Sequence, residues 1–192
     1  MLLVVTALAL VASVPLAGGR LSRLADIRVR AIWAVLLAVA IQVAITQIPG
    51  GSHGVHVALH VFSYVLDAYF VFVNRRLTGV PVVAFGAALN VLAITTNGGV
   101  MPASASAVRI AGIAERAGFD NSAALAHPHL GFLGDIIPVP GPWPIGNVLS
   151  VGDLIIFVGA LIVLHAACAS RLRPRVRSAR ISRDARGSTA GI

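Results

Sequence analysis

The chain has 192 residues, 57% of them hydrophobic and 11% charged, with a mean hydropathy of +0.89. Soluble domains carry about 25% charged residues, so an ordinary water-soluble fold is excluded and lipid is the expected solvent. The net charge of +8 comes from fifteen basic residues, all Arg, and the single Cys168 excludes an internal disulfide and any multi-cysteine metal site.

The first apolar segment covers about residues 2–17 and ends at Gly18-Gly19-Arg20. A signal peptide carries its positive charge before the apolar run. Here Arg20, Arg23, Arg28 and Arg30 come after it, so the segment reads as a retained helix with its N-terminus outside. The second segment covers about 31–48. Trp33 near its start suits an interfacial anchor, and the pairs Ala34/Ala38 and Ala40/Ala44 place small residues four apart, which lets helix backbones approach closely in lipid. Pro49-Gly50-Gly51 predicts a tight turn. The third segment covers about 55–73 and stops at Asn74-Arg75-Arg76; the fourth covers about 80–96, with Pro81 tolerable in its first turn.

A long stretch, 97–150, precedes the fifth apolar segment at about 151–169. Within it, 104–117 reads as a short helix ended by Gly118, Asp120-Asn121-Ser122 as a turn, and the alternate prolines of 138–144 as a polyproline-like path with Trp143 at an interface. Because 130–144 is mostly apolar, dipping back into the membrane is the alternative to lying on its surface. The tail, 171–192, has seven Arg and one Asp and should be disordered or lie on anionic lipid headgroups.

Cytoplasmic flanks of membrane helices collect Arg. Five spans with the N-terminus outside leave thirteen of the fifteen Arg on the inner side and only Arg109 and Arg116 on the outer. The expected protein is therefore an all-α, polytopic bundle of five transmembrane helices formed by residues 1–170. Its 97–150 loop is extracytoplasmic and its Arg tail cytoplasmic. An Arg-only, Ala/Val/Gly-rich composition suggests a high-GC bacterial genome, hence a bacterial plasma membrane.

Polar residues in such a chain are few. His56, His60, Tyr64 and Asp67 fall within about 60° of one another on the third helix. A mid-membrane carboxylate costs roughly 2.5–3.5 kcal/mol, so Asp67 must find partners. The stripe reads either as a proton or cation path or as a hydrogen-bonded seam against Gln42, Gln47 and Asn90; Asp67 is also within reach of Arg75 or Arg76. His56 and His60, at i and i+4, have metal-ligand spacing, with Asp67, one turn too deep, or His127, His129 or Asp135 from the loop as a third ligand, but no complete motif supports a metal and none is assigned. In the loop, Asn97-Gly98-Gly99 ends a helix as a C-cap would, leaving the second Gly and Met101-Pro102 for a close backbone approach. Ser150 with Asp153 fits a capping box. Asp135, after Gly134, has no ordinary cap pattern and is the acid most readily read as functional, and Asn147 opens the last polar run. No phosphate loop, nucleophile elbow or zinc-protease motif occurs. The Arg tail lacks the aromatic interleaving of a nucleic-acid binder.

Gly18-Gly19-Arg20-Leu21, Leu24-Ala25-Asp26 and Asn74-Arg75-Arg76-Leu77 carry a resemblance. So do Asn90, Asn97-Gly98-Gly99-Val100-Met101-Pro102, Phe132-Leu133-Gly134-Asp135-Ile136 and Asn147-Val148-Leu149-Ser150-Val151-Gly152-Asp153. Over about residues 1–170 the chain resembles the bacterial membrane family called domain of unknown function 5317. The resemblance implies a polytopic membrane protein and brings no activity; Asp67, His127 and His129 are not part of the pattern.

Three functions follow as expectations. The first is a binding or structural module meeting a small ligand or membrane-protein partner at its outer face through Asn97, Gly98, Gly99, Met101, Asp135, Asn147 and Asp153. The second is a carrier of protons or cations along His56, His60 and Asp67, with Tyr64 and Asn90 as further intramembrane polar candidates. The third is a membrane-embedded enzyme using Asp135 and the loop histidines. No catalytic residue and no cofactor is assigned, and the first reading is preferred because no catalytic constellation is complete.

Overall fold

The structure, a computed structural model, describes residues 2–47, 53–113, 122–141 and 146–173. The expected turn at 49–51, the 120–121 part of the loop turn, Arg116, Trp143 and the tail beyond 173 lie outside the described residues.

The protein is mostly helical. The apolar segments fold as α1 (Leu2–Leu16), α2 (Ile32–Gln47), α3 (His53–Asn74), α4 (Val80–Thr96) and, after the cap formed by the 97–150 loop, α6 (Val151–Ala167). Of the described helices, one stretch, Gly54–Asn74, is long and apolar enough to cross a membrane; Val4–Leu16, Ile32–Ile45, Val80–Thr96 and Val151–Ala167 are apolar but shorter.

Two helix pairs dominate the packing. On α2, Ala34 and Ala38 are fully buried against Leu66 of α3, with Ile41 and Phe70 closing the seam. The rings of Trp33 and Tyr69 meet across it, tilted by 43° with centroids 6.1 Å apart. Ala40 faces outward, so only the first of the two small-residue pairs works: the buried stripe continues 34, 38, 41, 45 at the 3.6-residue period. The second pair, α4 against α6, is closer still. A Cβ on Gly86 would lie 2.6 Å from the Gly152 carbonyl oxygen, and one on Gly159 2.6 Å from the Val83 nitrogen. Glycine is what lets these backbones touch.

The Arg-bearing connections gather at one end of the bundle. At that end, Arg20 N–H donates to the Cys168 carbonyl and Arg171 N–H to the Ala17 carbonyl, each at 3.0 Å. Asn74, 3% exposed, receives the Arg30 N–H on its Oδ1 at 2.9 Å and donates Nδ2 to the Arg30 carbonyl at 2.8 Å.

The 97–150 loop caps the opposite end and corrects the all-α expectation. It contains β1 (Met101–Pro102) paired in parallel with β2 (Ser122–Ala123), a short α5 (Ala105–Ala111), a 3-10 turn at Gly131–Leu133, and β3 (Asp135–Val139) paired antiparallel with β4 (Asn147–Ser150). An Ala103–Asp135 bridge joins the two small sheets. Helix α5 is shorter than the 104–117 expectation because Gly112, at φ +69°, ends it in the left-handed conformation. The expected polyproline path begins as strand, since Pro138 pairs with Val148 and Val139 with Asn147. β4 takes one edge of that strand.

One asparagine at each end latches the chain. At the cap end, Asn97 donates Nδ2 to the Ala93 and His129 carbonyls, both at 2.7 Å, and accepts the His129 N–H at 2.8 Å. Leu130, the next residue, sits at φ +51°; likewise Ala31, after the Asn74-bound Arg30, sits at φ +53°. Each amide imposes two backbone bonds on the residue before a left-handed alanine or leucine, a conformation that persists only where its surroundings dictate it. Asn97→Ala should therefore destabilise the cap by about 1–3 kcal/mol. Hydrogen exchange should read this as faster exchange across 129–134 with α2 and α3 unchanged; protection unaltered at 129–134 would mean that the latch is incidental.

Candidate functional site

The polar groups converge where the cap meets the start of α6. Ser150 ends β4 and caps α6: its Oγ accepts the Asp153 N–H, and the Asp153 carboxylate accepts the Ser150 N–H, each at 2.9 Å. From α4, Asn90 completes a ring, donating Nδ2 to Asp153 Oδ1 at 2.8 Å and accepting the Ser150 hydroxyl at 2.9 Å. Gly152 leaves room for it, since a Cβ there would overlap Asn90 Oδ1.

Asp135 stands beside this ring because β-pairing puts it opposite Ser150. Its neighbour Gly134 is explained by crowding, as a Cβ there would collide with the Pro102 carbonyl. Ser122 of β2 donates its hydroxyl to Asp135 Oδ2 at 2.6 Å, and Ser104 N–H donates to the Asp135 carbonyl at 2.9 Å. Burial pushes the Asp135 carboxyl up to about 6; the Ser122 hydrogen bond pulls it down and the charge on Asp153 pushes it further up. Desolvation thus dominates the stabilising hydrogen bond. The result is an acid that changes protonation near pH 6, next to a carboxylate committed to a helix cap.

Of the loop residues expected in one site, Asp135 and Asp153 come together and the rest do not. Asn97 is the latch to His129. Gly98 and Gly99, at φ +68° and +93°, turn the chain out of α4 with open space around their α-carbons, so they are required by backbone conformation and not by a close approach. Met101 is 6% exposed and packs with Ala93 and Leu133. Asn147 lies at the far end of the hairpin and accepts its neighbour Val148's N–H on Oδ1 at 2.9 Å. Ser122 and Ser150 are the site residues that sequence reasoning did not weigh as ligating groups; Ser122 carried no signal beyond turn composition.

The α3 stripe splits into two pieces. Tyr64 Oη and His60 Nε2 lie 2.7 Å apart, their rings tilted by 59° with centroids 4.5 Å apart. Gln42 of α2 reaches the Ser63 hydroxyl at 3.2 Å and Asp67 Oδ2 at 3.5 Å. Asn90, expected beside this stripe, belongs instead to the α4–α6 ring. Arg75 turns away from Asp67, donating to the Phe72 carbonyl at 2.8 Å and lying 4.3 Å over the Phe72 ring. His56 remains partly exposed one turn before His60. Among the described residues no group of three or more His, Cys, Asp or Glu is placed to hold a metal.

A buried histidine was missed. His165 on α6, 1% exposed, lies 3.0 Å from Ser13 Oγ of α1 through Nε2 and 2.6 Å from Ser170 Oγ through Nδ1. Ser13 also donates to the Leu10 carbonyl at 2.6 Å, so its proton is used and Nε2 must carry the hydrogen between them. That tautomer makes His165 a brace between α1 and α6, not a base for Ser13. The available signal was a serine and a histidine in two apolar segments, each needing a partner.

No solved structure matches the chain. An uncharacterized protein of Thermotoga maritima is 33% identical over 100 residues, 52% of this chain; the chain covers 58% of that relative's length. The model of a family of unknown function, DUF5317, matches residues 26–165, which takes in α2 to α4, the cap and nearly all of α6 and leaves out the Gly18-Gly19-Arg20-Leu21 piece. With the match running from the basic connection through the Asn97 latch to the Asn90–Ser150–Asp153 ring, the chain belongs to the DUF5317 family.

Proposed function

We infer that this is a multi-pass membrane protein of five helices, its Arg-rich end cytoplasmic, whose folded outer cap is a binding module for a ligand or membrane-protein partner. The observation that supports the membrane part is apolar exposure on every long helix: Leu8, Leu36, Phe72, Phe85 and Val158 each leave more than half of their surface uncovered. Monomeric soluble proteins rarely expose contiguous apolar patches beyond a few hundred Å²; lipid covers such faces at no cost. Four helices of 15–17 residues are short for a hydrocarbon core of about 30 Å, a mismatch met by local thinning of the bilayer.

The cap supports the binding part. Its two small sheets meet at one half-buried acid, Asp135, and the same cap leaves Phe132 and Ile110 65% and 59% exposed. Exposed apolar side chains and a titratable carboxylate on one cap are the chemistry of a recognition surface. Among the described residues no Ser–His or Cys–His pair accompanies the Ser122–Asp135 contact, so binding is favoured over catalysis. One experiment tests both parts. A Phe132→Cys protein in intact cells is treated with a membrane-impermeant maleimide bearing a photocrosslinker. Labelling from outside and one discrete crosslinked product, lost in an Asp135→Ala background, are expected. Failure to label would reverse the orientation; a product indifferent to Asp135→Ala would remove the site.

A further inference from the structure

At the end opposite the cap, two segments are laced together. Residues 17–20 and 168–171 exchange backbone bonds, from Arg20 N–H to the Cys168 carbonyl and from Arg171 N–H to the Ala17 carbonyl, and the His165–Ser13–Ser170 brace lies directly beneath them. The lacing forms a lip that carries Arg20 and Arg23 on one segment and Arg171 and Arg173 on the other; the nearest acid in sequence is Asp26, three residues after Arg23 in the 3-10 turn Leu21–Asp26. All four are exposed. Below the lip runs a shallow open groove lined by Ser13, Leu16, Ala17, Arg171 and Leu172. Its walls are apolar: Leu16 is 87% and Leu172 64% exposed. Ser13 offers no spare proton, since its hydroxyl already serves Leu10 and His165.

We propose that this groove binds an anionic glycerophospholipid, its phosphate on the Arg171 and Arg20 guanidiniums and an acyl chain along Leu16, Ala17 and Leu172. The inference deepens the membrane reading above and rests on it. Charge complementarity selects the occupant: exposed guanidiniums beside an apolar slot match a phosphate joined to a hydrocarbon chain, and Arg forms the bidentate pairs that phosphate accepts. The groove is open because its other wall is the bilayer. The site differs from a general attraction of the Arg tail to an anionic surface, because it is built from residues whose backbones are fixed by long-range bonds.

The test uses the full chain in a neutral detergent, with palmitoyl-oleoyl phosphatidylglycerol or phosphatidylcholine added and bound lipid counted by native mass spectrometry. Phosphatidylglycerol should be preferred, by about fivefold for each guanidinium engaged. The preference should fall in an Arg20→Gln/Arg171→Gln protein whose circular dichroism is unchanged, and persist when Arg175, Arg177, Arg180, Arg183 and Arg186 are all replaced by Gln. Equal binding of both lipids would overturn the proposal, as would a preference that follows the tail substitutions and ignores Arg20 and Arg171. Inorganic phosphate alone removing the preference at millimolar concentration would make the site one for free phosphate and overturn the lipid assignment. Release of the protein from membranes by alkaline carbonate would refute the membrane reading itself, a separate result.

Discussion

Gly152→Ala should unfold the cap end of the bundle, with a loss of about 3–5 kcal/mol. The new methyl would overlap Asn90 Oδ1 and stand 2.7 Å from the Gly86 carbonyl oxygen. Neither can yield cheaply. Moving Asn90 breaks its bonds to Asp153 and Ser150 and leaves the buried Ser150 hydroxyl and two part-buried groups without these partners, at roughly 1–3 kcal/mol for a fully buried group. Moving α4 opens the glycine seam along its length, and overpacking of a tight interface alone costs about 1–3 kcal/mol. Gly54 on α3 is the contrast, with nothing within 4 Å of the position a Cβ would take. Gly54→Ala should be neutral or slightly stabilising, because alanine loses less backbone entropy in a helix. Thermal unfolding of the two proteins in one detergent reads the difference. Similar midpoints for Gly152→Ala and Gly54→Ala would mean that the α4–α6 seam does not hold this end together.

That seam explains what sequence reading reached and what it did not. Helix positions were legible because apolar runs bounded by Gly, Pro and Arg leave few alternatives: α4 spans Val80–Thr96 and α6 begins at Val151, where composition put them. The Ser150–Asp153 cap was legible because its signal is local, four residues long. The partner of that cap was not. Asn90 lies sixty positions before Ser150, and nothing in the chain tells which apolar helix faces which. Composition alone therefore allows Asn90 a place near the α3 stripe, whereas glycines at 79, 86, 152 and 159 draw α4 onto α6. The small strands of the cap were illegible for a second reason. Strands of two to five residues, some carrying proline, have no periodicity to read, and their pairing is fixed by long-range contacts such as Ala103 with Asp135. The Asn97-Gly98-Gly99 motif looked like a ligand loop because a double glycine has two meanings, conformation and proximity; only the open space around it separates them.

Asp135→Asn should stabilise the protein at neutral pH and leave it unchanged in acid. The carboxyl is raised from 3.8 to about 6, so between those values the folded protein holds a proton that the unfolded chain has released. Stability must then fall as pH rises through that window. A shift of this size corresponds to roughly 2–3 kcal/mol, one pH unit being about 1.4 kcal/mol. Asparagine keeps an oxygen to accept the Ser122 hydroxyl and has no charge to desolvate or to repel Asp153. In detergent, the two proteins should melt together at pH 4, separate between pH 4 and 6, and differ by a constant amount above about 7. A gap independent of pH would show that Asp135 does not titrate there. The sign carries the functional argument. A chain gains nothing in stability by keeping an ionisable acid at this junction when the neutral amide fits the same bond. If stabilisation by Asn is accompanied by loss of the Phe132 crosslink, the charge at Asp135 serves recognition at the outer face at the expense of the fold; if the crosslink survives, the acid is neither structural nor recognised, and the binding surface must be sought among the exposed apolar residues of the cap alone.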